Sequence, residues 1–154
     1  MLAQKFGVEP RGAKIINDIA DTITKTKDQH KDLKASFLIA YSSSPLVVAG
    51  KNTFASQVLE ALGLNNMAKT EVAWPIWPLE SLIHNPPDIF LLADWHESLS
   101  HYQNLFSNLA IGSKFRLLIP DRPLFQSPSP KVIDAIHQLS QLLASKSYEP
   151  TRDL

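Results

Sequence analysis

Phe37-Leu38-Ile39-Ala40-Tyr41 runs directly into Ser42-Ser43-Ser44-Pro45, and Leu46-Val47-Val48-Ala49-Gly50-Lys51-Asn52-Thr53-Phe54 follows. Five consecutive apolar or aromatic residues without polar alternation match a strand covered on both faces, as in a parallel sheet. Pro45 to Phe54 then reads as a strand exit feeding a helix start. Asn52 or Thr53 is placed to cap a helix over Thr53 to Leu62, with Phe54, Val58, Leu59 and Leu62 facing inward. Gly63 is its stop.

The same alternation continues down the chain. Asp88 to Ala93 predicts a second buried strand and Phe115 to Ile119 a third. Between them, Met67 to Ala73 reads as extended, and Pro78 to His84 as a short helix with proline near its first turn. Ser98 to Leu109 predicts a helix packing through Leu99, Tyr102, Leu105, Phe106 and Leu109. Pro120 to Pro130 carries four prolines and reads as loop. A closing helix over Ser129 to about Ser145 shows Val132, Ile133, Ile136, Leu139 and Leu143 on one face. Upstream, Pro10 to about Asp32 predicts a helix about 30 Å long, with Ala13, Ile16, Ile19, Ala20 and Ile23 on one side. Its second half, from Thr24 to Lys34, is almost wholly polar and is expected to be solvated.

Buried strands alternating with helices predict an α/β fold: a three-layer, mostly parallel sheet flanked by helices, Rossmann-like, preceded by a long helix. The units are residues 1–35, a lobe over 36–146, and a polar tail over 147–154. Ligands of such sheets gather at the carboxyl ends of the strands. Those ends are Tyr41 to Lys51, Ala93 to His96, and Pro120 to Ser127.

Composition narrows the function. With 154 residues the chain fits one core. Fifteen basic and fifteen acidic residues cancel, leaving no electrostatic footprint for nucleic acid or an anionic membrane. Cysteine is absent, which excludes disulfides, thiolate nucleophiles and cysteine zinc sites. No apolar run approaches the roughly 20 residues of a membrane span. The first ten residues lack a signal-peptide pattern, so the chain as written is expected in the cytosol. Dinucleotide, Walker and nucleophile-elbow motifs are missing. Gly50-Lys51-Asn52-Thr53 lacks the upstream glycine of a phosphate loop and reads as a glycine turn before a capped helix. His96 and His101 lie near Asp94 and Glu97, but without i, i+4 zinc spacing between histidines, and read as a solvated loop and helix start. No catalytic residue, metal site or cofactor is predicted.

One segment stands out as a ligand candidate. Val72-Ala73-Trp74-Pro75-Ile76-Trp77-Pro78-Leu79-Glu80-Ser81-Leu82 packs two tryptophans and two prolines ahead of a carboxylate. Such a stiff apolar surface either fills a core or offers a flat face to a ligand.

Residues 36 to about 144 resemble the C-terminal lobe of ABC-importer substrate-binding proteins of the helical-backbone class, the binders of cobalamin (vitamin B12), haem and iron–siderophores. The likeness rests on Pro45 with Gly50-Lys51 and the helix containing Gln57-Val58-Leu59-Glu60, on Gly63 with Asn65-Asn66, and on Trp74-Pro75 with Glu80 six residues on. Asn85-Pro86-Pro87-Asp88 before a strand, Ile119-Pro120, Phe125 and Ser129-Pro130-Lys131 complete it. The helix from Pro10 looks like the family's inter-lobe backbone helix.

The resemblance implies a two-lobed, non-catalytic, periplasmic binding protein of which this chain holds one lobe. The chain would then be a fragment of a longer gene product or a truncated reading frame. Trp74 matches the tryptophan lining the cobalamin cleft, and Glu80 the acid that docks onto arginines of the membrane permease. Pro45, Leu46, Gly50 and Lys51 would line one cleft loop, and Arg122 and Phe125 another. Trp77 has no family counterpart and defaults to packing. Tyr41 could serve a siderophore or haem ligand, or pack. The Trp-Pro pair tilts the ligand toward a corrinoid. Without its other lobe the chain would bind weakly and leave Ile15, Ile16, Ile19 and Ile23 uncovered, which implies a homodimer or pairing with an N-terminal lobe. Two other readings stand beside this one. One is a cytosolic interaction domain that kept the lobe fold, and the other is a small α/β enzyme.

Overall fold

Each apolar run becomes a strand, and the strands pair in an order that the connections between them dictate. The structure is a computed structural model and describes residues 9–93, 97–112, 114–120 and 131–144. The elements are α1 (Glu9–Gln29), β1 (Ser36–Ser43), β2 (Leu46–Val48), α2 (Phe54–Ala61), β3 (Asn65–Asn66), α3 (Leu79–His84), β4 (Ile89–Leu92), α4 (Leu99–Asn108), β5 (Arg116–Leu118) and α5 (Val132–Ala144). The sheet order is β2-β1-β4-β5, with β3 also paired to β1. β1, β4 and β5 are parallel, in the registers Phe37↔Ile89, Ala40↔Leu92 and Phe90↔Leu117. This is the mostly parallel α/β fold that the unalternating runs predict.

Both faces of the sheet are covered, and the two cores divide by alternation along the strands. Phe37, Ile39, Ile89 and Leu91 pack with Leu59 of α2 and with Val132, Ile136 and Leu139 of α5. Leu38, Ala40, Phe90 and Leu92 pack with Leu82 of α3 and with Tyr102 and Phe106 of α4. Phe90, Phe106 and Phe115 form a ring cluster with centroids 4.8–5.3 Å apart.

Local chemistry sets the element ends. Thr53 caps α2, its Oγ1 accepting from the Ser56 amide at 3.3 Å. Gly63 takes φ +94°, the left-handed conformation that ends the helix. Ser98 caps α4 by accepting from the His101 amide at 3.2 Å. Asp88 and Ser36 clasp the starts of β4 and β1. The Asp88 carboxylate accepts from the amide and the hydroxyl of Ser36, both at 2.7 Å, and Ser36 Oγ accepts from the Asp88 amide at 3.0 Å.

Two expectations need revision. Leu46 to Val48 is a short antiparallel strand on the edge of β1, paired Ala40↔Val48 and Ser43↔Leu46, instead of a plain exit. The alternation that would signal it is too short to see, although Leu46 and Val48 are buried and Val47 is half-buried. The second is a refinement: the polar half of α1 is mostly exposed, as expected, but is attached locally. Thr26 is only 3 % exposed, His30 Nε2 lies 2.9 Å from Ser140 Oγ, and α1 packs along α5. That half is attached by a buried threonine and a hydrogen bond, which a hydrophobic pattern does not register. Farther up the same helix, Ile19 and Ile23 touch the first core while Ile16 is 67 % exposed. The helix is described to Gln29, short of Asp32. The loop over Pro120 to Pro130 lies outside the described residues from Asp121 on, as does the polar tail.

Candidate functional site

The residues around Trp74 are built onto the free edge of β2. Met67 to Ala73 forms no regular strand beyond β3, and residues 70–77 are strapped in place by backbone bonds. The Val48 amide donates to Pro75 O at 3.0 Å, Gly50 to Ala73 O at 2.9 Å, and Trp77 to Leu46 O at 2.8 Å. Gly50 permits this approach, because a Cβ there would stand 1.9 Å from Val72 O. From beneath, Asn66 Nδ2 donates to Ala49 O at 3.0 Å and to Ser56 Oγ at 2.9 Å, while its Oδ1 accepts from the Ala68 amide at 2.8 Å. Thr53, Ser56 and Asn66 are all buried, so the loop over 49–53 is set by a satisfied polar network.

On this wall Trp74 is 51 % exposed, flanked by Val72 at 58 % and Ile76 at 67 %. Its ring meets Tyr41 edge-on, with centroids 4.7 Å apart and planes at 75°. Tyr41 stands at the carboxyl half of β1. Burial pushes its phenol up to about 12, so the hydroxyl stays protonated at neutral pH. Trp77 packs inward on the second core instead.

The other sequence-named residues have varied placements. Pro45 is exposed at the tip of the β1–β2 turn. Leu46 is 2 % exposed and Gly50 is buried, so both shape the wall through the backbone. Lys51 pairs with Glu71, whose other oxygen accepts from Asn52 Nδ2 at 2.5 Å. The Lys51 and Asn52 hydrogen bonds hold the Glu71 carboxyl below its usual range. Glu80 is exposed in the first turn of α3 and makes no hydrogen bond or ion pair among the described residues. Arg122 and Phe125 lie outside the described residues, as do Asp94 and His96.

Sequence reasoning missed one cluster. Ser43 Oγ and His101 Nε2 lie 2.9 Å apart, and Glu97 Oε2 is 3.6 Å from His101 Nδ1. The i, i+4 spacing of Glu97 and His101 was visible; the serine, 58 residues upstream, was not. No group of three or more histidine, cysteine or acidic residues among the described residues could hold a metal ion. No described helix is long and apolar enough to cross a membrane.

Known proteins share this fold. An uncharacterised ABC transporter substrate-binding lipoprotein of Bacillus subtilis is 21 % identical over 97 % of this chain and 49 % of its own length. The crystal structure of an ABC transporter substrate-binding protein from Listeria monocytogenes matches with a TM-score of 0.77 at 20 % identity, over 92 % of this chain and 60 % of that one. The periplasmic vitamin B12 binding protein of Vibrio cholerae matches at 0.65 and 18 % identity, over 86 % of this chain and 53 % of that one. The chain thus spans about half the length of the curated relative it matches. Residues 1–110 fit the sequence profile of the periplasmic binding proteins, and the chain belongs to that family.

Proposed function

We propose that this chain is the C-terminal lobe of a substrate-binding protein of an ABC importer, with α1 as the inter-lobe backbone helix over residues 1–35 and the lobe over 36–146. It binds and presents, and does no chemistry. One observation carries the reading: Trp74 stands half-exposed at the carboxyl edge of the sheet, on a wall fixed by three backbone bonds, where the ligands of parallel sheets gather. A rigid indole between exposed Val72 and Ile76 suits a broad, largely apolar ligand face such as a metal-bearing macrocycle.

Among corrinoid, haem and ferric siderophore, a corrinoid suits the wall best. Tyr41 is the described tyrosine nearest this edge, and its phenol is held neutral by burial. It supports the Trp74 ring and is poorly poised as an anionic ligand for iron. Lys51 is neutralised by Glu71, so it offers little free charge to an anionic siderophore. Pro45 and the Lys51 stem line the same edge, and Arg122 and Phe125 are proposed for the opposite loop. Glu80, exposed and unengaged, is the docking acid for a guanidinium on the permease. A second lobe, encoded with this one or supplied separately, closes the cleft; a second copy of this chain is the alternative. Like its relatives, such a protein works outside the cytoplasmic membrane.

Tryptophan fluorescence tests this. Cyanocobalamin, haemin and a ferric siderophore are titrated into the chain, alone and mixed with an N-terminal lobe. Saturable quenching by cyanocobalamin, lost in Trp74→Ala, is the expected result. No saturable quenching by any of the three in the two-lobe mixture overturns the assignment.

A further inference from the structure

We propose that His101 is a positioning residue: it braces the β1–β2 hairpin, and through it the Trp74 wall, against the body of the lobe. This rests on reading the carboxyl edge as the ligand cleft. Among the described residues the wall's backbone hydrogen bonds run to residues 46–51, while Trp77 packs on the second core and Trp74 meets Tyr41. The hairpin packs on the second core through Leu46 and Val48, but its far end lies beyond the central ladder. β1 keeps its ladder to β4 only as far as Ala40↔Leu92, and the Ala93 amide to Ala40 O, at 2.8 Å, is the last such bond on that side among the described residues. From Tyr41 onward β1 continues with β2 as its ladder partner, past a register irregularity between Ala40 and Ser42. The far end of this overhang is Ser43.

There the hairpin is tied back. Ser43 Oγ lies 2.9 Å from His101 Nε2, and Ser43 is only 5 % exposed. The imidazole is partly exposed, its side chain 42 % accessible, and is held on one side. Its backbone amide donates to the capping hydroxyl of Ser98, its ring meets Tyr102 edge-on at 5.8 Å, and Tyr102 is 1 % exposed within the second core. Glu97 Oε2 lies 3.6 Å from Nδ1 on the other side. The strut therefore runs from the exposed side of α4 through one partly exposed ring to a buried hydroxyl. Removing the ring takes away that hydroxyl's partner among the described residues, in a part-buried bond. A serine beside a histidine and a glutamate also invites a nucleophilic reading. The burial of Ser43 makes its hydroxyl a structural partner instead.

Amide hydrogen exchange reads this without any ligand. The amides of Val48, Gly50 and Trp77 report the hairpin and wall, and those of Leu38 to Ala40 report the central sheet. His101→Ala is expected to speed exchange at the first set by about tenfold, the loss of one part-buried hydrogen bond, with the second set unchanged. Ser43→Ala should reproduce the pattern. His101→Gln, whose amide can still reach Ser43 Oγ, should restore protection. A uniform change across both sets, no change at the first set, or failure of glutamine to rescue overturns the proposal. The ligand titrations are read separately. If cyanocobalamin fails to bind the parent protein, the transport reading falls while the exchange result still decides the role of His101.

Discussion

A single absent methyl group at Gly50 lets the wall lie where it does. Any Cβ there would collide with Val72 O at 1.9 Å, and both atoms are tied to backbone. Gly50→Ala is therefore expected to lower unfolding free energy by about 1–3 kcal/mol in urea melts and to alter the near-ultraviolet dichroism of Trp74. Asn66 works in the opposite sense, by filling three bonds at once. Asn66→Ala strands the Ala68 amide in a buried site and should cost about 1–3 kcal/mol, read in the same melts. Trp74 carries little of the fold, since half of it faces solvent. Trp74→Phe should leave thermal stability nearly unchanged while weakening cyanocobalamin binding by roughly 3- to 10-fold, the worth of one aromatic contact. The sequence identified Trp74, and its spacing to Glu80, before any coordinates. It could not pair Ser43 with His101, because a contact across 58 residues leaves no local pattern.

The strands and their neighbours were legible because burial on both faces suppresses alternation, and β1 and β4 carry unbroken apolar runs. β2 was not legible, since three residues cannot establish a period. Its pairing is set by the turn at Ser44-Pro45 and by the edge that β1 leaves open. The clasp between Asp88 and Ser36 belongs to this level too, because it aligns the first residues of β1 and β4. Those hydrogen bonds, the Ser36 amide first, hold the Asp88 carboxyl below its usual range. A depressed folded value means the contribution is present above the unfolded pKa of about 3.9 and is lost as pH falls through the folded one. Stability should therefore fall on acidification from about pH 5 to pH 3, and Asp88→Asn should flatten part of that slope. Glu71 is depressed in the same direction by Lys51 and Asn52. The Asp88→Asn, Glu71→Gln double variant should flatten the slope further than either change alone, as chemical melts across that range would show. The clasp is exposed, so its energetic effect is modest.

Across the whole chain, stability rests on two cores back to back on one sheet. Phe90 anchors the second, with Phe106 at 5.0 Å and Phe115 at 5.3 Å. Phe90→Ala is expected to cost about 3–5 kcal/mol and could unfold the domain; thermal melts with circular dichroism measure it. Composition, run length and the order of strands and helices sufficed for the α/β class and the parallel core of the sheet. These are properties of short windows, where burial imprints a period on the residues themselves. Four other features arose only when distant segments met: the attachment of the polar half of α1 to α5, the edge strand, the strapping of residues 70–77 onto it, and the Ser43–His101 brace. Each depends on backbone amides, carbonyls or single polar side chains whose partners lie far away in the chain. Every residue but proline carries the same backbone groups, so little in the local sequence distinguishes the ones that will pair.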